Sequence, residues 1–484
     1  MMAGKVIELI KTFNGEEFKK FGLFIRSPYF NKEKIQVKFY DILKKYYPDF
    51  NSRNFEKEKI FSKLYPGKKY NDGVMRNILS TSLTLAGDFL SVHRLQKDGI
   101  QYRYNIAAEL NARRQNKLYE REASYIDDIL QNEIIKDAEF FYKKFLLANE
   151  NRRFNTRQKS SLVTDEKVLH EVSENLALSF MINMLRIHTY IANTNKYMYH
   201  YEQNKGLMDG IENHLISNFD KYKSITSLVY YFNFFMLSKT EEEKYFFELR
   251  NLFREKYNEL SDIDKRNTYT ILANYCYTRI NKGDLNFLSE QFNIYKQNID
   301  TGYYRGEKGF MSHIFSINVV VTGLEAGEVK WVGNFIEKYN SELDSVNRDN
   351  TITFCRAFYC YWNKDYSRAM ELAAMVKTDD PSYKHQLKSL YLKIYFDLRE
   401  IEPFYSHVDN YRHFIAGDKN IGEQVRITIN NYINFAKRIF DLKLAKQEDE
   451  TELEILRDEI IANKAMINKP WLLRKIEESK NAHK

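Results

Sequence analysis

Between Pro66 and Pro381 the chain runs for more than three hundred residues without a proline. Proline fixes φ and lacks a backbone donor, and with glycine it punctuates the many turns that a sheet protein of this length requires. With six prolines and 18 glycines in 484 residues, turns must be few or short, and the expected fold class is all-α. Length alone leaves open two or three ordinary domains or one long array.

The apolar share is 43% and the mean hydropathy is −0.58, the balance of a soluble chain with ample core. The most apolar run, residues 228–237, is too short to span a bilayer and contains Asn233. Met1-Met2-Ala3-Gly4-Lys5 leads into an amphipathic pattern with Glu8 and Lys11, without the unbroken apolar core of a secretory signal. A cytoplasmic location without membrane insertion is therefore expected. Cys276, Cys355 and Cys360 form no CxxC pair and each falls on an apolar stripe, so reduced, buried thiols are expected.

The organising pattern lies in residues 351–381. Ala369, Leu372, Ala373 and Val376 share one helical face, and Cys355, Phe358, Tyr359 and Trp362 form a stripe on the helix before it. The short link Asn363-Lys364-Asp365 forces the two helices antiparallel, with Asp365 as N-cap. Thr378-Asp379-Asp380-Pro381 ends the pattern. Ala357, Ala369 and Pro381 follow one another at twelve-residue steps, which resembles the tetratricopeptide repeat (TPR). The match is partial, since Thr353, Arg356 and Cys360 stand where that family has aromatic, leucine and tyrosine positions. Breaks at Gly283-Asp284, Ala326-Gly327, Lys364-Asp365 and Ile401-Glu402 have solenoid spacing. The whole chain is also similar to large helical bacterial proteins of no known activity. The resemblance implies a TPR-like α-solenoid of antiparallel helix pairs over residues 101–440, following an N-terminal helical module at 1–100 and followed by C-terminal capping helices at 441–484.

In the module, helices are expected at 6–13, 16–25, 35–46 and 56–64, then a longer one carrying Val74, Ile78, Leu83, Ala86 and Leu90 on one face. Residues 1–100 hold 19 Lys and Arg against 11 Asp and Glu, so the net charge of +8 resides there. Such asymmetry suits an acidic partner, nucleic acid or an anionic protein surface. A second basic stretch at 151–159 includes Arg152, Arg153 and Arg157.

No phosphate loop, GxGxxG, HExxH or nucleophile elbow occurs, and His407 and His413 lack an acid at metal-ligand spacing. Neither an enzyme nor a cofactor or metal is expected. The expected function is a protein-protein interaction scaffold binding a polypeptide segment on the concave face made by the first helix of each pair. Candidate partner-binding residues are Phe354, Phe358, Arg152, Arg153 and Arg157. Aromatic residues in place of the Lys and Asn of carboxylate-gripping TPR domains favour an apolar or amphipathic segment. The alternative is a nucleic-acid-binding or regulatory protein acting through the basic N-terminal module.

Overall fold

A computed structural model of the chain describes residues 4–51, 55–158, 166–195, 205–306, 309–377, 381–418, 421–445 and 450–481. The fold is all-α, as the scarcity of proline requires. Among the described residues there are 24 α-helices and no strand, only isolated bridges at Arg305, Met311 and Leu343. The chain divides into two compact units, Met1–Glu133 with Lys143–Ser173, and Ile134–Tyr142 with Glu174–Lys484.

The first unit opens with α1 (Lys5–Lys11), α2 (Gly15–Arg26), α3 (Lys34–Leu43) and α4 (Lys57–Leu64), each within three residues of its expected ends. The long helix α5 (Asp72–Lys97) is the spine against which α1, α2 and α3 pack. Its stripe of Met75, Ile78, Leu85, Ala86 and Phe89 closes a core with Phe21, Phe39 and Ile60. Local sequence sets the ends: Asn14 and Glu17 form a reciprocal capping box on α2, which satisfies amides that have no partner inside the helix. Gly22 leaves room for the Tyr40 ring, whose hydroxyl donates to the Phe18 carbonyl at 2.9 Å. Next come α6 (Gly99–Ala112) and α7 (Asn116–Gln131), and then α8 (Ala138–Gln158) and α9 (Glu166–Asn195), each of which has residues in both units.

In the second unit, α10 (Lys205–Ser217) and the short α11 (Phe219–Tyr222) precede α12 (Thr226–Thr240). Every residue of α12 from Thr226 to Leu237 is buried, as a helix that is apolar on all sides must be. No helix among the described residues is long and apolar enough to cross a membrane. There follow α13 (Glu243–Glu255), α14 (Asp262–Asn281), α15 (Phe287–Thr301), α16 (His313–Glu325), α17 (Val329–Lys338), α18 (Arg348–Trp362) and α19 (Tyr366–Met375). The last are α20 (Pro381–Leu398), α21 (Ile401–Gly417), α22 (Glu423–Leu444), α23 (Glu450–Ala462) and α24 (Lys469–Asn481). From α12 onward each helix packs on the next along the chain. In addition α16 packs on α18, and α24 reaches back to α14 and α22.

One turn design recurs. Arg114, Gly283, Gly327, Lys364 and Arg399 are left-handed, with φ of 58, 104, 81, 63 and 56°. At each of these turns the left-handed residue donates its N–H to the carbonyl three residues back, and the following residue donates to the carbonyl five back, as Asp284 does to Arg279 and Asp365 to Cys360. These are Schellman closures, which use up the last free helix carbonyls and reverse the chain. Four of them join α14 to α15, α16 to α17, α18 to α19 and α20 to α21. The fourth break thus lies at Arg399-Glu400, two residues before its expected position, with Ile401 and Glu402 already in α21. A left-handed arginine gives no compositional mark of a turn.

In the hairpin of α18 and α19, the Asp365 side chain caps α19 by accepting from the Arg368 amide at 3.2 Å. Ala369, Leu372, Ala373 and Val376 are buried together. On α18 the buried set is wider than the expected stripe: Thr351, Phe354, Ala357 and Tyr361 lie inside, whereas Trp362 is half-buried. Neighbours on both sides explain this, because α18 packs against α16 and α17 as well as α19. Cys276 and Cys355 are buried free thiols, but Cys360 is only half-buried. Burial pushes the Cys355 thiol up to about 12, so it stays protonated. Residues 378–380, which carry the end of the expected hairpin, and residues 446–449 lie outside the described residues. Within 441–484 lie α23 and α24, with Leu453, Leu456 and Ile460 buried on α23. Trp471 sits in the first turn of α24.

Candidate partner-binding site

The site is built on α20, a helix with two different faces. Its inner face carries Ser389, Leu392, Lys393 and Phe396, all buried. The other presents Lys384, Lys388, Tyr391 and Tyr395, spaced four, three and four apart and thus one stripe. The tight turn at Arg399 folds α21 back antiparallel, so Pro403, Ser406, His407 and Asn410 run along the same seam. The two stripes line a cleft of about 470 Å3.

Within the cleft the aromatic rings form one wall. Tyr391 and Tyr395 lie 6.1 Å apart at 23°, and the His407 ring is 5.9 and 5.7 Å from them. His407 Nε2 lies 2.7 Å from the Lys388 carbonyl. A carbonyl only accepts, so Nε2 carries the proton and Nδ1 holds the lone pair in the neutral ring. Burial, and then the Lys388 charge, lower the His407 pKa, which keeps it neutral near pH 7. The Lys388 ammonium donates to Asn410 Oδ1 and sits 5.2 Å from the Phe414 ring centre. Burial lowers its pKa as well. Such a seam offers shape, stacking and hydrogen-bonding groups.

The inner face of α20 is held by a polar network that reaches α24. Asp397 accepts from the Tyr361 hydroxyl at 2.7 Å and pairs with Lys475 at 2.6 Å. Trp471 Nε1 donates to the same Tyr361 oxygen at 2.8 Å. Lys393, 2% exposed, donates to Asn468 Oδ1 at 3.1 Å, and Asn468 donates to Ser389 Oγ at 3.2 Å. Arg474 pairs with Glu325 at 2.8 Å and lies over the Trp362 ring at 4.4 Å. A helix fixed this way on one side offers its other side as a pre-organised surface.

The residues singled out from sequence lie elsewhere. Phe354 and Phe358 are 0% and 5% exposed; they touch each other, and Phe354 meets Tyr383 edge-on at 5.4 Å. They are core of the α18 packing and present no surface to a partner, which corrects the expectation that they line a groove. Arg152, Arg153 and Arg157 lie near the end of α8. Arg152 bonds Asn149 at 3.2 Å, Arg153 pairs with the buried Glu150 at 3.3 Å, and Arg157 donates to the Asn111 carbonyl at the end of α6. Their first role is to tie α8 to itself and to α6. The cleft went unread in the sequence although its signal was present, a stripe of Lys and Tyr on the polar side of α20.

Comparison with protein-family models, with curated proteins and with solved structures finds no match for this chain.

Proposed function

We propose that this protein is a non-enzymatic interaction scaffold, a TPR-like array whose first helices bind a polypeptide segment. The observation that carries the reading is the α20–α21 cleft, a seam of about 470 Å3 with an aromatic wall on a hairpin braced from behind. The array reading is supported by Schellman turns recurring at positions 283, 327, 364 and 399 and by helices that pack in chain order. Selecting peptides from a displayed random library on the purified protein tests it. A consensus that Tyr391→Ala and Tyr395→Ala both abolish is the expected result. Failure to enrich any peptide, or enrichment indifferent to both changes, would refute it.

A second reading concerns the first unit, where Tyr29 is 84% exposed and Leu23 71% exposed beside Lys19, Lys20 and Lys32. There the excess positive charge would contact nucleic acid phosphates. Affinity for generic DNA or RNA must then fall steeply between 50 and 200 mM salt, by about a thousandfold if six phosphates are engaged. Absence of binding at the lower salt removes this reading.

A further inference from the structure

The α20–α21 cleft has a charge pattern that selects among polypeptides. None of the described residues lining it is acidic, while Lys384, Lys388 and His407 all contribute to it. Lys388 is only partly exposed, and no carboxylate among the described residues lies within ion-pair distance of it; its ammonium meets the neutral Asn410 amide and the Phe414 ring. A half-buried ammonium with no counter-ion is an unusual expense in a folded chain. It is offset when an anion arrives, and the gain is larger in a partly desolvated seam than in water. Around that charge stand a ring nitrogen with a free lone pair, the Ser406 hydroxyl and the Asn410 amide. Tyr391 and Tyr395 supply flat apolar surface along the same line, about two turns of helix long.

From this juxtaposition we infer that the cleft is a docking site for an acidic peptide, with a carboxylate of the partner seated on Lys388 and an adjacent apolar or aromatic side chain against Tyr391 and Tyr395. The inference rests on the scaffold reading above and names its partner class. Binding would replace the Asn410 contact of Lys388 by a charge-assisted one, which is stronger. The neutral His407 would accept a hydrogen bond at Nδ1 from the peptide backbone.

The test is fluorescence anisotropy with a labelled twelve-residue peptide of Asp, Glu and Phe, a counterpart with Asn and Gln in place of the acids, and a single-stranded oligonucleotide of matched charge. The acidic peptide is expected to bind the intact protein at least about tenfold more tightly than its amide counterpart, a difference near 1.4 kcal/mol. Lys388→Met should abolish that preference and Lys388→Arg should retain it, each with unchanged helical circular dichroism. Tyr391→Ala should weaken both peptides. Equal binding of acidic and amide peptides, lost in Tyr391→Ala, would overturn the anionic assignment and leave the scaffold reading standing. Acidic binding untouched by Lys388→Met would place it elsewhere and overturn the inference. Oligonucleotide binding that depends on Lys388 as strongly as peptide binding would overturn the assignment to peptide. No binding by either peptide would overturn the inference, whereas the scaffold reading stands or falls by the library selection.

Discussion

Replacing Gly323 by alanine separates close packing from helix propensity, because the two act in opposite directions. Within a helix, alanine is favoured over glycine by about 0.5–1 kcal/mol, since it has less backbone freedom to lose. At Gly87, on the exposed side of α5, a methyl group meets nothing within 4 Å, so Gly87→Ala should be stabilising by that amount. At Gly323, in the last turns of α16, the same methyl would stand 2.6 Å from Val332 Cγ2 and 2.8 Å from Phe292 Cε2. Favourable carbon contacts lie near 3.5–4 Å, so both neighbours must retreat by about 1 Å. Neither has room, as Val332 is fully buried on α17 and Phe292 2% exposed on α15, and valine is stiff at χ1. Overpacking of this kind costs about 1–3 kcal/mol. Set against the propensity gain, Gly323→Ala should be destabilising by about 1–2 kcal/mol. Urea unfolding followed by circular dichroism, with hydrogen exchange of the α15–α17 amides, reads both variants. If Gly323→Ala raises the midpoint as Gly87→Ala does, the helices at this crossing are not in contact and the order of packing described above is wrong.

Ala373 is 2% exposed, so Ala373→Asp should bury an unpaired carboxylate and lower stability by about 3 kcal/mol or more in thermal melting, where an unchanged midpoint would contradict the hairpin. Asp397→Asn should cost about 1–3 kcal/mol, because Tyr361 loses its carboxylate acceptor and the buried Lys475 keeps only the half-exposed Glu478, at 2.7 Å, as counter-ion; a double-mutant cycle with Lys475→Met reads the coupling. Burial lowers the pKa of Lys393 to about 8 and that of Lys469 to about 8, below the value of an unfolded lysine. Between pH 8 and about 9.5 the unfolded chain therefore holds more protons, and stability should rise with pH by up to about 2 kcal/mol per group, a rise that Lys393→Met should halve. Arg157→Gln should loosen the first unit by about 1 kcal/mol through loss of the bond to Asn111 and leave peptide binding unchanged.

Helix existence was legible in the sequence because apolar spacing and missing prolines act locally. The capping role of Asp365, the turns at 283, 327 and 364, and the buried face of α19 all follow from residues within a few positions of one another. What could not be read depends on contacts made far along the chain. Phe354 reads as available because its own helix has a polar side, but Tyr383 of α20 meets it edge-on from outside the hairpin. The cleft was hidden for a related reason: Lys388 and Tyr391 look like ordinary solvated residues until Arg399 turns α21 against them. Lys393 and Lys475 gave no sign of burial, since only the return of α24 encloses them.

That return bears on how the molecule is made. Trp471 meets Tyr361 across 110 residues, and Arg474 meets Glu325 across 149. On the ribosome, α16, α18 and α20 emerge well before the segment that neutralises Asp397 and Glu325, and during that interval the two carboxylates lack the partners that Lys475 and Arg474 supply. Nascent chains arrested ahead of residue 469 should consequently hold their hairpins loosely and be cleaved by protease around α18 and α20, becoming resistant only once α24 has emerged and docked.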